Sequence, residues 1–235
     1  MSAEPSVVCL SGGQDSTTCL FYALRRYARV HAVSFDYGQR HRVELDCAAA
    51  LAAKAGVEHT VVPIEAFPQL ADASLTNPTI PSRRDATDTG NTYAAKRGLP
   101  SSFVPGRNII FLGLAAAFGI SRGFETLVAG VCSTDEAGYP DCRTDFVDSL
   151  QQTIRIGMDC PTFTIHAPLL HRTKAQTWAL ADELGVLELV RTETHTCYEG
   201  VRGALHEWGH GCGHCPACET RARGWAEFTT TRTRR

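Results

Sequence analysis

Short apolar runs alternate along the chain with longer stretches in which apolar residues recur at the spacing of an amphipathic helix. The short runs end at turn residues and are typical of buried strands. They predict strands at positions 6–10, 30–35, 58–64, 126–129 and 163–165. The longer stretches predict helices that begin at Asp15 and that span 41–55, 109–121, 144–156 and 173–184. This alternation predicts an α/β fold with a Rossmann-like parallel sheet of about five strands, flanked by helices on both faces.

Residues between the predicted elements mark their boundaries. Gly56 and Gly185 follow two of the helices as C-cap glycines would, and Asn108 precedes the third helix as an N-cap. The stretch 66–105 is rich in Pro, Thr, Ser, Asp and Gly, which predicts a long loop or insertion. The last residues, 229–235, are Thr and Arg only, and we expect them to form a flexible, solvated tail.

Length and charge exclude several classes of protein. The 235 residues suffice for one large domain or two small ones. The 23 Lys and Arg nearly balance the 25 Asp and Glu, and a net charge of −2 gives no electrostatic basis for binding nucleic acid. The longest apolar run, 109–120, is shorter than the about 20 residues that a membrane span needs. Glu4 and the lack of a basic segment beside it argue against a signal peptide, so we expect a cytoplasmic protein.

The first predicted strand leads directly into the sequence SGGQDSTT and then into a helix. A parallel sheet binds ligands at this place, beyond the carboxyl end of a strand. Gly12 and Gly13 allow the backbone to approach an anion, and Ser11, Ser16 and Thr17 add hydroxyl donors to the N–H groups of the helix start. The segment is neither a Walker A loop, which needs a lysine, nor a dinucleotide-binding G-x-G-x-x-G. We interpret it as a phosphate-binding loop; a plain strand-to-helix turn with a capping aspartate is the alternative.

The SGGQDS segment resembles the PP-loop of the ATP pyrophosphatase superfamily, whose members split ATP between the α- and β-phosphates and adenylate a carboxylate or carbonyl oxygen. Within that superfamily, nearly the whole chain resembles, in order, the 7-cyano-7-deazaguanine synthase family, which makes the nitrile precursor of queuosine. The segments that carry this resemblance are FDYGQRH at 35–41, FVPGRN at 103–108, GVCSTD at 130–135, YPDCR at 139–143, PL at 168–169 with Lys174, and the cysteines near the carboxyl end.

The resemblance implies roles for particular residues. ATP would be bound by the loop and the start of the following helix, that is by Leu10, Ser11, Gly12, Gly13, Gln14, Asp15, Ser16, Thr17, Thr18, Cys19 and Leu20. The catalytic residues would be Ser11, Asp15, Ser16, Arg107 and Lys174, with Mg²⁺ accompanying ATP. The deazaguanine would be stacked, hydrogen-bonded or charge-paired by Phe35, Tyr37, Arg107, Asp135, Tyr139, Asp141 and Arg143.

The family's reaction joins 7-carboxy-7-deazaguanine with ammonia through adenylated acid and amide intermediates, so two ATP are expected for each product. The implied partners are small-molecule substrates and a second copy of the chain in a homodimer, without nucleic acid or membrane. The expected organisation is a PP-loop nucleotide-binding domain at 1–190 with a C-terminal zinc-binding segment at 191–228 packed on it.

Four of the ten cysteines, Cys197, Cys212, Cys215 and Cys218, crowd the end of the chain. The C-x-x-C spacing can place sulfurs around one tetrahedral ion, and four thiolates leave no open position. The sequence therefore predicts one structural zinc ion per chain, with an iron–sulfur cluster as the rival interpretation. The nearby His195, His206, His210 and His214 are interpreted as bystanders, because four cysteines already complete the shell.

Two other functions are compatible with parts of the sequence. A tRNA thiolation enzyme could use the same loop with cysteines or an iron–sulfur cluster, although the near-neutral charge and the absence of a basic extension argue against it. The second possibility is a non-catalytic zinc-binding interaction module. The intact residues of the glycine-rich loop argue against it, because such a module would not need them.

Overall fold

The computed structural model describes residues 2–70, 72–84, 91–132, 139–203 and 205–233. The strands are β1 (Ser2–Cys9), β2 (Tyr27–Asp36), β3 (Glu58–Pro63), β4 (Thr126–Val128), β5 (Thr164–His166), β6 (Leu205–His206) and β7 (Gly209–His210). The helices are α1 (Gln14–Arg26), α2 (Val43–Ala55), α3 (Thr92–Ala95), α4 (Arg107–Ile120), α5 (Thr144–Gly157), α6 (Lys174–Glu183), α7 (Leu187–Glu193) and α8 (Pro216–Thr233).

Five parallel strands form one sheet in the order β3-β2-β1-β4-β5. The strand β1 lies at the centre, where Val8 pairs with Ala32 of β2 on one side and with Val128 of β4 on the other. The chain runs outward from β1 to β3 and then returns to the opposite side of β1. A ligand crevice forms beyond the carboxyl ends of the strands at such a reversal. The predicted Rossmann-like parallel sheet is confirmed.

Both faces of this sheet are covered by helices. Val7 of β1 packs on one face with Leu112 of α4 and Val147 of α5. Its neighbour Val8 points to the other face and packs with Leu20 of α1, in a core to which α2 and α6 also contribute. Since side chains alternate between faces and both faces are buried, the strands have continuous apolar runs rather than alternating ones.

The start of α4 differs from the prediction. Its N-cap residue is Gly106, at φ +74°, whereas Asn108 lies within the first turn. The side-chain Nδ2 of Asn108 donates to the carbonyl oxygen of Asp141 at 2.9 Å, and its backbone N–H donates to Asp141 Oδ2 at 3.1 Å. The predicted N-cap at Asn108 is therefore wrong, because the capping carboxylate comes from a residue distant in sequence.

The predicted loop at 66–105 is mostly irregular where it is described, apart from a short 3-10 turn and α3. The side chain of Asn91 caps α3 by accepting a backbone N–H at 3.0 Å. Ser101 crosslinks the segment, because its carbonyl oxygen accepts the N–H of Ser74 at 2.9 Å and its Oγ accepts the N–H of Arg83 at 2.8 Å. These polar contacts add to a small apolar cluster of Ala94, Leu99 and Phe103 within the segment.

The sequence analysis missed α3, α7, α8 and the antiparallel hairpin of β6 and β7. The helix α8 packs on α6, and Trp178, Val190 and Phe228 share one core. Few apolar residues of α8 recur at helical spacing, which is why no helix was predicted there. The boundary predicted after residue 190 falls inside α7, and the division of the chain into those units stays a prediction.

The structure also differs from the expected tail, since residues 229–233 complete the last turns of α8. The hydroxyls of Thr229, Thr230 and Thr231 each donate to the backbone carbonyl four residues earlier. These hydrogen bonds within the helix occupy the threonine hydroxyls, whereas the Thr- and Arg-rich composition predicts a solvated tail. Among the helices in the described ranges, none has the length and apolarity needed to cross a membrane.

Candidate active site

The glycine-rich loop joins β1 to α1 at the carboxyl end of the sheet. Gly12 has φ +81°, and a Cβ there would lie 2.2 Å from the carbonyl oxygen of Glu44 on α2. Gly130, which follows β4, also approaches α1 closely: a Cβ at this position would lie 3.1 Å from the backbone nitrogen of Ser16. Both positions therefore require glycine, and three elements meet around the start of α1.

Two serine hydroxyls lie together in this loop. Ser11 Oγ and Ser16 Oγ are 3.0 Å apart, and Ser16 Oγ also accepts the N–H of Ser11 at 3.1 Å and donates to the Gly13 carbonyl at 3.2 Å. The first turn of a helix has N–H groups without intrahelical acceptors and carries the positive end of the helix dipole. The arrangement is chemically suited to an anion such as a phosphate group.

Asp15 and Lys174 form an ion pair beside the loop, with 2.8 Å between Lys174 Nζ and Asp15 Oδ2. Lys174 is fixed by the rigid start of α6, where Thr173 and Gln176 form a capping box. The other carboxylate oxygen, Asp15 Oδ1, is buried and has no hydrogen-bond partner among the described residues. A buried carboxylate oxygen without a donor is a suitable ligand for a hard cation such as Mg²⁺.

A cavity of about 290 Å³ opens between this loop and the carboxyl ends of β1, β2 and β4. The loop forms its polar side. The opposite side is aromatic: the rings of Phe35 and Phe111 stack with their centroids 4.7 Å apart, and Tyr37 and Tyr139 also line the cavity. A phosphate-binding side facing flat aromatic rings suits a nucleotide or a fused-ring heterocycle.

Arg107, in the first turn of α4, lines the aromatic side, with its guanidinium carbon 5.6 Å from the ring centroid of Tyr139. Burial lowers the pKa of Arg107, but the phenol groups of Tyr37, Tyr139 and Tyr198 and the carboxylate of Asp141 outweigh it, so the net shift of the pKa is upward. Burial also raises the pKa of the Tyr37 phenol. The cavity therefore contains a permanent positive charge that can pair with a carboxylate or a phosphate.

The structure brings only part of the predicted binding set into the cavity. From the loop, the lining residues are Leu10, Ser11, Gly13, Gln14, Asp15 and Ser16. Gly12 is not among the described residues that line the cavity, since its Cα faces α2. Thr17, Thr18, Cys19 and Leu20 are buried in the packing of α1 and do not line it either, because successive helical residues turn away from its mouth.

Two predicted substrate contacts also lie outside the cavity. The carboxylate of Asp141 is buried and accepts the N–H of Asn108, whereas Arg143 is exposed as the N-cap of α5. Neither belongs to the cavity lining within the described ranges. Asp135 lies outside the described residues. Of the predicted substrate residues, the cavity thus contains the three aromatic ones and Arg107.

The four cysteines near the carboxyl end come together as predicted. The Sγ atoms of Cys197, Cys212, Cys215 and Cys218 all lie within 4.8 Å of one another. The sulfurs of Cys212 and Cys218 are 3.9 Å apart, close to the about 3.8 Å between thiolates on one tetrahedral zinc ion. Hydrogen bonds from the thiols of Cys215 and Cys218 and from the N–H of Cys212 lower the pKa of Cys197. This cluster can bind a metal ion.

Histidines near the cluster bond to its backbone. The ring nitrogens of His195, His206 and His214 lie 3.0 to 3.1 Å from the carbonyl oxygens of Cys197, Gly211 and Cys212, respectively. These bonds occupy one nitrogen of each ring and hold the backbone that carries the thiols. The group of potential ligands in the described chain contains cysteines alone, in agreement with the interpretation of the histidines as bystanders.

The sequence analysis missed the two residues that precede the first cysteine of the cluster. The N–H of His195 donates to the carbonyl oxygen of Gly12 at 2.9 Å, and the N–H of Gln14 donates to Thr196 Oγ1 at 3.3 Å. Thr196 and Tyr198 both line the cavity. The one available signal in the sequence was the position of this His-Thr pair directly before a predicted metal ligand. No local sequence pattern indicates that the pair contacts the glycine-rich loop.

Comparison with known proteins matches the chain over most of its length. A family model described as "Queuosine biosynthesis protein QueC" matches residues 5–229, a range that includes the glycine-rich loop and all four cysteines. The 7-cyano-7-deazaguanine synthase of Rhodopseudomonas palustris (strain ATCC BAA-98 / CGA009) is 46% identical over 243 residues, covering 97% of each chain. That of Bradyrhizobium sp. (strain ORS 278) is 49% identical over 237 residues, covering 95% of each.

Among solved structures, a predicted subunit of tRNA methyltransferase from Methanocaldococcus jannaschii has a TM-score of 0.47 at 15% identity, covering 77% of this chain and 75% of that one.

Proposed function

Because this chain belongs to the QueC family of queuosine biosynthesis proteins, we propose that it converts 7-carboxy-7-deazaguanine and ammonia to 7-cyano-7-deazaguanine with consumption of ATP. One observation carries this proposal: a single cavity is lined by an anion-binding loop and by an aromatic surface that includes a partly buried arginine. The loop is suited to the triphosphate, and the aromatic side is suited to a deazapurine that carries a carboxylate.

In the first half of the reaction, a carboxylate oxygen attacks the α-phosphorus of ATP, which forms an acyl adenylate and releases pyrophosphate. Ammonia then attacks the acyl carbon, AMP departs with the carboxylate oxygen, and loss of a proton leaves the primary amide. The hydroxyls of Ser11 and Ser16 and the N–H groups of α1 stabilise the charge that develops on pyrophosphate. Lys174 adds a positive charge beside them, and Arg107 orients the substrate carboxylate.

In the second half, the amide oxygen attacks the α-phosphorus of another ATP and again releases pyrophosphate. Departure of AMP, with loss of the remaining amide protons, forms the carbon–nitrogen triple bond. The same loop serves both halves, because in each half an oxygen of the substrate attacks the α-phosphorus of an ATP bound there. Phe35, Tyr37 and Tyr139 hold the heterocycle by stacking while its side group changes.

The residues around the loop fit a magnesium ion bound with ATP. Asp15 is the candidate protein ligand, since its Oδ1 is buried and otherwise unpartnered and its Oδ2 is oriented by Lys174. When bound, the ion supplies further positive charge to the phosphates from which pyrophosphate departs.

We further propose that the four cysteines hold one zinc ion per chain. Their sulfurs are close enough for a tetrahedral shell, which leaves no position open for a substrate, so the role of the ion is structural. Metal analysis with a visible absorption spectrum distinguishes this from an iron–sulfur cluster, which is coloured and contains sulfide.

The test of the proposed function is mass spectrometry of the product formed from the carboxylic acid, ammonia and ATP. We expect the nitrile, two AMP and two pyrophosphate, with the primary amide as an intermediate that is itself converted with one ATP. When the carboxylic acid is labelled with ¹⁸O, the label should appear in AMP. Formation of ADP with label in inorganic phosphate would overturn the mechanism, and absence of the nitrile would overturn the function.

The other two functions considered from the sequence are not favoured. Relatives that are similar over nearly the full chain are named as 7-cyano-7-deazaguanine synthases rather than as thiolation enzymes or interaction modules. The loop residues also lie around a cavity, and a module without catalysis would need neither these residues nor the cavity.

We also propose that the chain forms a homodimer through α4. No charged or polar side chain occurs between Asn108 and Ser121, and the outer face of this helix exposes Ile109, Leu114 and Ala117. An uncharged face is complementary to a second copy of itself about a two-fold axis. The small Ala117, together with Gly113 one turn before it, allows two such helices to approach closely.

A further inference from the structure

The loop between β1 and α1 is held from behind by the segment that leads into the four-cysteine cluster. The N–H of His195 donates to the carbonyl oxygen of Gly12 at 2.9 Å. The N–H of Gln14 donates to Thr196 Oγ1 at 3.3 Å, across 182 positions of the sequence. Two consecutive residues of a distant segment thus hold two sides of one turn.

Thr196 replaces a missing helix cap. The N-cap residue of α1 is Gly13, and no side chain caps the helix from within the loop. In most helices a side chain at that position accepts an N–H of the first turn. Here the hydroxyl of Thr196 accepts the N–H of Gln14, the first residue of α1. The position at which α1 begins therefore depends on a side chain outside the loop.

Arg221 fixes the hydroxyl of Thr196. Its side chain is almost fully buried, and Nη1 donates to Thr196 Oγ1 at 2.8 Å. Three further donors bond to backbone carbonyls, since Nε donates to that of Trp208 at 2.9 Å and Nη2 donates to those of Val190 at 3.0 Å and Arg191 at 3.2 Å. A planar guanidinium bonded on several sides cannot rotate freely, so the oxygen that it contacts is held in place.

This contact lies at the edge of the cavity. Thr196 lines the main cavity and also a smaller adjoining one of about 110 Å³, as do Gln14 and Asp15. The side-chain amide of Gln14 is buried there without a partner in the described chain. A change at Thr196 would therefore be transmitted directly to groups that face the substrates.

We infer that Thr196, held by Arg221, is a positioning residue for the ATP-dependent reaction. Through the N–H of Gln14 it sets the start of α1, and thereby the place at which the hydroxyls of Ser11 and Ser16 meet the phosphates. The inference rests on the proposed function, because it assumes that the loop binds ATP. A hydroxyl that only stabilised the fold would change the melting temperature and leave the ATP affinity of the folded protein unchanged.

The test compares Thr196→Val, which removes the oxygen at nearly constant volume, with Thr196→Ser, which retains it. Thr177→Val is the control for the same substitution elsewhere, since Thr177 is buried and its hydroxyl donates to the carbonyl oxygen of Thr173, the N-cap residue of α6, rather than to the loop. Each folded variant is titrated with α,β-methylene-ATP and Mg²⁺ by calorimetry, assayed for nitrile formation, and analysed for bound metal. Thr196→Ala replaces the valine variant if that variant does not fold.

We expect Thr196→Val to bind the analogue about tenfold more weakly, and Thr196→Ser and Thr177→Val to remain within about twofold of the parent. The KM for the deazapurine acid and the metal content should be unchanged. The inference is overturned if Thr196→Val binds like the parent, if Thr196→Ser is as weak as Thr196→Val, if the valine variant loses metal, or if neither the valine nor the alanine variant folds. A parent that binds the analogue but forms no nitrile refutes the proposed function alone, because the binding comparison still decides the role of Thr196.

Discussion

The hydroxyls of Ser11 and Ser16 lie 3.0 Å apart at the start of a helix whose own N-cap residue has no side chain. In the proposed reaction this pair faces pyrophosphate, a leaving group whose negative charge increases as the bond to the α-phosphorus breaks. Donors that are already oriented stabilise that charge without reorganising. The reaction therefore depends on single hydroxyl oxygens, and removal of one of them changes the packing of the protein very little.

Replacement of Ser11 by alanine should lower nitrile formation by about a hundredfold, because it removes one oriented donor to the leaving group. The melting temperature should change by less than about 4 °C. Ser6→Ala is the matched control, since Ser6 is buried in β1 and its hydroxyl has no partner in the described chain. Steady-state assays of both variants test this prediction, which fails if Ser11→Ala releases AMP at the parent rate.

Sequence reasoning found the residues that are adjacent along the chain and missed the ones that meet them in space. Ser11 and Ser16 could be assigned from one short motif, because the loop and the helix N-terminus act together locally. The contact of Lys174 with Asp15 spans 159 positions, and that of Thr196 with Gln14 spans even more. A lysine could be attributed to the site through family resemblance, whereas a threonine beside a cysteine gave no such signal.

At the scale of elements, the four cysteines bring together parts of the C-terminal segment that lie apart along the chain. Cys197 lies before the hairpin of β6 and β7, Cys212 and Cys215 follow it, and Cys218 lies in the first turn of α8. A metal ion would therefore join the segment before the hairpin, the loop after it and the start of α8, beside the packed ring of Trp208. Because the ion binds the folded arrangement, its binding free energy contributes directly to the stability of this segment.

Cys215→Ser should reduce bound zinc to well below about one ion per chain and lower the melting temperature, because a three-thiolate site binds the ion less tightly. Cys160→Ser is the control, since Cys160 is buried in the sheet core away from the cluster. Elemental analysis and thermal unfolding of both variants check the prediction. Unchanged zinc in Cys215→Ser would contradict the ligand assignment, and iron with sulfide in the parent would contradict zinc.

The contact between β5 and β2 makes stability depend on pH. His166 Nδ1 lies 2.7 Å from the hydroxyl of Tyr27. Burial, with a smaller contribution from Arg26, lowers the pKa of His166. The folded state therefore keeps the ring neutral at pH values at which the unfolded chain, with a pKa near about 6.5, already binds a proton. The stabilisation is present above that pH and is lost as the pH falls through the interval down to the lowered pKa.

We therefore expect the free energy of unfolding to fall between about pH 7.5 and about pH 5.5, and to fall less steeply in His166→Phe. Burial lowers the pKa of His59 and of His195 too. Because the parent and His166→Phe share these residues, they do not contribute to the difference between the two slopes. Denaturant unfolding at several pH values measures the two slopes. Equal slopes would show that His166 does not carry this dependence.

At the scale of the whole molecule, the periodicity of the sequence predicts the layered sheet, because each strand buries both faces and each covering helix buries one. It does not predict α8, whose buried residues are Cys218, Arg221, Gly224 and Phe228, so that only one of them is a large apolar side chain. Cys218 is buried in the cluster of four thiols, Arg221 is buried with its guanidinium hydrogen-bonded to backbone carbonyls, and Gly224 packs closely against Lys174. The four buried residues recur at helical spacing, but an arginine and a glycine among them do not appear as apolar positions in the sequence.

The outer face of α4 gives the prediction that belongs to the assembly. Leu114→Lys should convert a dimer to a monomer at equal concentration, because a charge on this face cannot be buried against a second copy. Leu205→Lys places the same charge on an exposed leucine of β6 and should leave the dimer intact. Sedimentation velocity distinguishes these outcomes. A monomeric parent, or a dimeric Leu114→Lys, would contradict the proposed interface.

The long-range contact of Gln14 with Thr196 has a consequence for the time at which the enzyme becomes active during its synthesis. The ribosome makes Gln14 of the loop 182 residues before it makes the threonine that supports it. At roughly 5–20 residues per second, the interval between them is about ten seconds or longer. A nascent or prematurely terminated chain therefore carries the loop without the residues that set its geometry. Such a fragment should consume little ATP, so its presence in the cell would not drain the nucleotide pool.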